Sequence, residues 1–139
     1  MTIGNSEQDT IKKILKEKRR IAVVGLSNNP ERDSYEVSEV MKNAGYEIIP
    51  VNPAIEESLG IPAVSSLKDI EGHVDIVNVF RQSHFVPDIA KEAVEIGADV
   101  LWTQLGVVNE EAKNYAEKNG LTVVMNRCIK VEYQKYGSN

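Results

Sequence analysis

The chain of 139 residues has one cysteine, two histidines and few aromatic side chains, 6% in all. A lone Cys128 excludes an intramolecular disulfide and any thiolate metal cage, and it suits a reducing compartment, so a cytoplasmic protein is expected. His73 and His84 have no second histidine or cysteine at ligand spacing, and neither a metal site nor a Ser-His-Asp triad is expected. No apolar run approaches the ~20 residues of a membrane-spanning helix. Met1–Arg20 also lacks the apolar core and small-residue cleavage site of a secretory signal, so a soluble chain without a membrane partner is expected. Positive charge is scarce: 16 Lys and Arg against 21 Asp and Glu leave a formal net charge of -5. Nucleic-acid affinity comes from clustered cations, so no nucleic-acid partner is expected, and any anionic ligand must be held by local features.

What is present is an ordinary core supply, 42% hydrophobic residues, arranged as alternating strands and helices. The length fits a single domain over 1–139, with a core from about 11 to 136. After a loose end at Met1–Ser6, Ile11, Ile14 and Leu15 lie at helical spacing within Glu7–Lys18. Ile21-Ala22-Val23-Val24 is continuously apolar and β-branched, as a strand covered on both faces is, and it stops at Gly25. Ser34–Asn43 carries Val37, Val40, Met41 and Ala44 on one face, with Ser34 as cap or first turn and Gly45 as stop. Glu47–Val51 is a strand, and the crossover after it is expected to hold a short strand and one helical turn. Val74–Phe80, Asp99–Trp102 and Leu121–Met125 are further strands. They alternate with helices at Pro87–Gly97, at Asn109–Asn119 with Asn109 as cap, and at Cys128–Tyr136. Such alternation predicts an α/β fold: a single Rossmann-like, doubly wound domain whose mostly parallel sheet of about five to six strands has helices on both faces.

In such a sheet a ligand lies beyond the carboxyl ends of the strands. The segment Gly25-Leu26-Ser27-Asn28-Asn29-Pro30-Glu31-Arg32-Asp33-Ser34 joins the first strand to the start of the first crossover helix. The open N–H groups and positive dipole end of that helix make an anion site, to which Arg32 would add a charged contact. An ordinary turn with a solvated arginine is the alternative. Two common phosphate ligands are disfavoured. Ser27 and Pro30 stand where a dinucleotide fingerprint needs its second and third glycines, and the second strand ends in Asn52-Pro53 without the ribose-binding acid. A Walker Gly-Lys-Ser/Thr loop is absent as well.

Taken together, several segments resemble the small, stand-alone CoA-binding domain proteins. They are Val23-Val24-Gly25-Leu26-Ser27 with Pro30-Glu31-Arg32 and Ser34-Tyr35, then Pro50-Val51-Asn52-Pro53, Phe80-Arg81, Trp102-Thr103-Gln104-Leu105-Gly106-Val107 and Asn126-Arg127-Cys128. The fold is also similar to the CoA-binding domain of the succinyl-CoA synthetase α subunit. The resemblance implies coenzyme A, or an acyl-CoA, lying across the carboxyl edge. Gly25, Ser27, Asn28, Arg32, Ser34 and Tyr35 would serve the pyrophosphate, and Asn52, Pro53 and Ile55 the nucleotide end. Val79, Phe80 and Arg81 would flank it, and Gln104, Leu105 and Gly106 would guide the pantetheine arm. The synthetases can carry a lysine where Ile55 falls here, which leaves the 3′-phosphate contact to Arg81 or Arg32. They also add a second domain with a phosphorylated histidine and an ATP-grasp partner. The resemblance here stops after the first domain, so acyl-CoA synthesis is not assigned.

Few side chains suggest chemistry. Cys128 at the ligand edge is the one candidate, able to form a mixed disulfide with CoA if Arg127 favours the thiolate; a half-buried cysteine opening a helix is the simpler reading. Arg81 is a ligand contact or a partner of Asp75 or Glu110. Trp102 and Phe80 fit burial as well as adenine stacking. The expected function is binding of CoA or acyl-CoA as a carrier or sensor. The alternatives are a CoA-thiol redox protein using Cys128, a nicotinamide-dependent oxidoreductase, or a module of a larger acyl-CoA synthetase-like complex with an ATP-grasp partner. An apolar patch at Ile129-Val131-Tyr133 is compatible with a homodimer.

Overall fold

The computed structural model describes residues 6–137. In chain order these form α1 (Ser6–Glu17), β1 (Arg20–Val24), α2 (Asp33–Asn43), β2 (Glu47–Val51), a hairpin of β3 (Glu57–Ser58) and β4 (Ile61–Pro62), β5 (Ile76–Val79), α3 (Val86–Glu95), β6 (Val100–Thr103), α4 (Glu110–Lys118), β7 (Thr122–Val124) and α5 (Ile129–Glu132). The loose end expected for Met1–Ser6 lies outside the described residues, except that Ser6 begins α1. Between β2 and β5 the chain makes the expected helical turn, a 3-10 turn at Leu67–Asp69, and an antiparallel hairpin in place of the one short strand expected. Leu59 and Gly60 both take positive φ, 57° and 75°, the tight hairpin turn that matches strand twist.

Five strands form one parallel sheet in the order β2-β1-β5-β6-β7. Successive side chains alternate between its faces. Ile21 and Val23 join Ile76, Val100 and Trp102 beneath α1, α2 and α5, while Ala22 and Val24 join Val77, Val79 and Leu101 beneath α3 and α4. Burial on both sides explains why these strands read as unbroken apolar runs. The Rossmann-like, doubly wound α/β domain expected from the sequence is therefore what forms. Asn109 caps α4 as expected, its Oδ1 accepting from the Ala112 N–H at 2.9 Å. The terminal patch differs: Ile129 is fully buried and Tyr133 packs edge-on against Tyr46, leaving Val131 as its exposed member.

The amino edge of the sheet is tied by charge. Asp75 Oδ2 accepts from the backbone N–H groups of Arg19 and Arg20 at 2.9 Å each. Asp99 Oδ2 lies 3.0 Å from Lys18 Nζ and 3.1 Å from His73 Nε2. His73, for which the sequence offered no second metal ligand, thus meets Asp99 across the fold as well as Asp75 two residues along, and the three side chains could hold a metal ion. Lys18 and the two backbone amides already engage those carboxylates.

Burial alone would push the Asp99 carboxyl up, but the hydrogen bonds of His73 and Lys18 outweigh it and hold it below its ordinary value. A lowered folded-state value means stability that is complete above the ordinary carboxylate range, about pH 4. It is lost as pH falls through the folded-state value. Asp99→Asn should cost about 0.5–1 kcal/mol at neutral pH and flatten the acid limb of the stability profile, read from urea midpoints between pH 7 and pH 2.5.

Candidate functional site

The strand order places the site. From β1 the chain leaves through α2 toward β2 on one side, whereas from β5 it leaves through α3 toward β6 on the other. With right-handed crossovers the two helices must lie on opposite faces, so the carboxyl ends of β1 and β5 part and open a crevice. Gly25 sits at that parting. Its N–H donates to Val51 O and the Phe80 N–H donates to Val24 O, both at 2.9 Å, so three strands end in step. Gly25 takes φ +92°, and a Cβ there would lie 2.6 Å from Phe80 O. The position needs glycine for both reasons.

The loop beyond Gly25 is held rather than slack. Ser34 Oγ accepts from the Ser27 N–H at 3.0 Å, and Ser27 Oγ from the Asn29 N–H at 2.9 Å. Asn52 Nδ2 donates to Leu26 O at 3.0 Å while its Oδ1 accepts from the Ala54 N–H. From the hairpin, Ser58 Oγ donates to Ser27 O at 2.7 Å. Asn52, where a dinucleotide site would have an acid, therefore fastens the loop with both ends of its amide. Arg32 is the N-cap of α2 in extended conformation and makes no side-chain cap; the Tyr35 and Glu36 N–H groups donate to Arg32 O at 3.1 Å, which leaves those of Asp33 and Ser34 open to an outside acceptor. Ser34 is in the first turn, not the cap.

Three clefts that share lining residues run along this edge. One, about 620 Å³, is lined by Gly25, Ser27, Arg32, Ser34, Asn52 and Ile55. Through Asp33 and Phe80 it continues into a cleft of about 710 Å³ against Arg81, Gln104, Leu105, Gly106, Cys128 and Val131. Through Gly25 and Asn52 it meets a third of about 480 Å³, which Pro53, Ser65 and Arg81 also line. The fold thus gathers nearly all the residues singled out in the sequence. Asn28 and Tyr35 line none of the three, and Val79 is wholly buried in the core beneath α3. Trp102 is likewise core, its Nε1 donating to Arg127 O at 2.8 Å.

The far cleft has supports that the sequence reading passed over. Asn78, alone among apolar neighbours in β5, is 2% exposed, and its Oδ1 accepts from Gln104 Nε2 at 2.7 Å. An amide inside an apolar strand was the available signal. Asn126, at φ 63°, accepts from the Gly106 N–H at 2.7 Å, and Thr103 Oγ1 donates to Val107 O at 2.7 Å. These bonds shape the Gln104–Val107 turn.

Charge at the edge is selective. Lys130 reaches both oxygens of Glu36 at 2.8 and 3.0 Å, and that hydrogen bond raises its pKa. Arg127 is engaged by Glu7 at 2.6 Å and by the buried Glu132 at 3.9 Å, so it is committed elsewhere than to Cys128, the neighbour it was expected to activate. Among the described residues, Arg32 and Arg81 make no ion pair. Asp75, offered above as a partner for Arg81, is bound at the opposite edge of the sheet. Arg81 lies instead over the Phe85 ring, 3.9 Å from its centre.

A family model described as a CoA binding domain matches residues 19–134. The chain belongs to this CoA-binding domain family. It is 55% identical over 129 residues to the uncharacterized protein YneT of Bacillus subtilis, covering 93% of this chain and 96% of that one. It is 32% identical to the α subunit of an ADP-forming acetate–CoA ligase II of Pyrococcus furiosus, where the match covers 80% of this chain but only 27% of the subunit. The crystal structure of a hypothetical protein from Pyrococcus horikoshii superposes with a TM-score of 0.90 at 35% identity, covering 93% of this chain and 91% of that one. This CoA-binding domain is thus related to a part of an acetate–CoA ligase subunit. Among the described residues no helix is long and apolar enough to cross a membrane.

Gly25→Ala puts a methyl group against Phe80 O in a left-handed backbone conformation. It should destabilise the fold by about 1–3 kcal/mol, seen as a lower urea midpoint with little change in slope.

Proposed function

We propose that this CoA-binding domain protein holds coenzyme A, or an acyl-CoA, along the carboxyl edge, and that it acts by binding, as a carrier or sensor. The observation that carries the reading is the crevice at the β1/β5 parting. There a helix N-terminus without a side-chain cap and two cations without an ion pair face neighbouring clefts that share lining residues. A ligand with a charged middle and two long arms suits that shape. The pyrophosphate takes the Gly25–Ser34 loop and Arg32, the nucleotide the Asn52–Ile55 side, and the pantetheine arm the Gln104–Gly106 side. The acidic first turn of α2 opposes an anion only in part, because Lys130 neutralises Glu36. NAD is disfavoured because Asn52 is occupied with the loop and no acid ends β2.

Isothermal titration should give a dissociation constant of about micromolar for CoA and no measurable heat with NAD or ATP. Arg32→Ala should weaken CoA by about tenfold or more through loss of a charge-assisted contact. Absence of heat with CoA overturns the reading.

Similarity to the Pyrococcus ligase α subunit favours a second reading, in which the chain supplies the CoA-binding part of a larger synthetase-like assembly. Recovery of an ATP-grasp subunit with the tagged chain from its native cells is the expected result of that reading. Elution of the chain by itself at native expression levels counts against it.

A further inference from the structure

We infer that Arg81 recognises the ribose 3′-phosphate of CoA and so sets a preference for CoA over its dephospho form; this rests on the reading proposed above. Every other cation lining the three clefts except Arg32 is matched by a carboxylate: Lys130 is held by Glu36. Arg32 lines the cleft at the start of α2, where a pyrophosphate meets open N–H groups, and Arg81 does not. Arg81 lines the two outer clefts instead, at the point where they meet beside Gly25; its Cδ lies 3.1 Å from the place a Gly25 Cβ would take. Of the two arms of CoA that leave the pyrophosphate, pantetheine is neutral and the nucleotide carries a phosphate. An unmatched cation shared by the outer clefts therefore has one anion left to meet. The cleft toward Pro53 and Ser65 offers it room.

The position is also prepared for such a contact. Arg81 is partly buried and its guanidinium rests on the Phe85 ring, which fixes the plane of its donors without using them. Glu92 lies in the same cleft but makes no ion pair with it. Ile55, which lines the adjoining cleft, supplies no charge, so the task falls to a side chain from β5's end of the crevice.

The experiment is titration of the wild-type chain, Arg81→Gln and Arg81→Lys with CoA and with dephospho-CoA. Wild type should bind CoA about tenfold or more tightly than dephospho-CoA. Arg81→Gln should bring the two within about twofold by weakening CoA alone, and Arg81→Lys should keep part of the preference. Competition on the wild-type chain supplies a measurement independent of any variant's folding: adenosine 3′,5′-bisphosphate should displace CoA more effectively than adenosine 5′-monophosphate. Wild-type binding of both cofactors without preference overturns the assignment, as does equal weakening of both in Arg81→Gln, which would put the arginine on the pyrophosphate. Failure of wild type to bind either cofactor overturns the proposed function together with this assignment.

Discussion

The arrangement depends on how closely two parallel strands run at the point where they part. Phe80 O would lie 2.6 Å from any Cβ at position 25, and only a glycine lets β1 turn away beside β5 without moving it. Because the departing connections go to opposite faces, that tight contact sits at the floor of the crevice and all three clefts open from its surroundings. A helix start, two arginines and two loops converge there.

Around that contact the protein uses neutral hydrogen bonds to set shape and leaves charge for the ligand. Asn52, Ser34 and Ser58 hold the first loop, while Asn78, Thr103 and Asn126 hold the Gln104–Val107 turn. Ser34, Ser58, Asn78 and Thr103 are buried, where amides and hydroxyls are costly without partners and rigid with them, so with Asn52 and Asn126 they keep the edge in place without neutralising Arg32 or Arg81. Where charges serve the fold instead, they are paired: Arg127 with Glu7, Lys130 with Glu36, and Lys18 with Asp99 at the opposite edge. One edge of the sheet is internally neutralised and the other keeps cations in reserve, which agrees with a chain of formal net charge -5 that must still attract an anion locally.

The element order was legible because each strand is apolar on both faces and each helix carries its stripe, patterns that local sequence sets. Gly25, the poor match to a dinucleotide fingerprint and the Asn109 cap were equally open to reading, being properties of a few adjacent residues. So was the likeness to CoA-binding domains, which rests on short segments in a fixed order. The hairpin after β2 was missed because its strands are two residues each, too short for any periodicity, and its turn uses Leu59 in a conformation that sequence does not announce.

What only the tertiary structure decided is which side chains are available. From sequence alone, Arg81 and Arg127 were both cations at strand ends and His73 was an unpartnered histidine. Contacts made across as many as 120 residues of chain, as between Arg127 and Glu7, assign them differently. Partnering at that separation is fixed by strand order and by the hand of the crossovers, and neither is written in the spacing of any one residue and its neighbours.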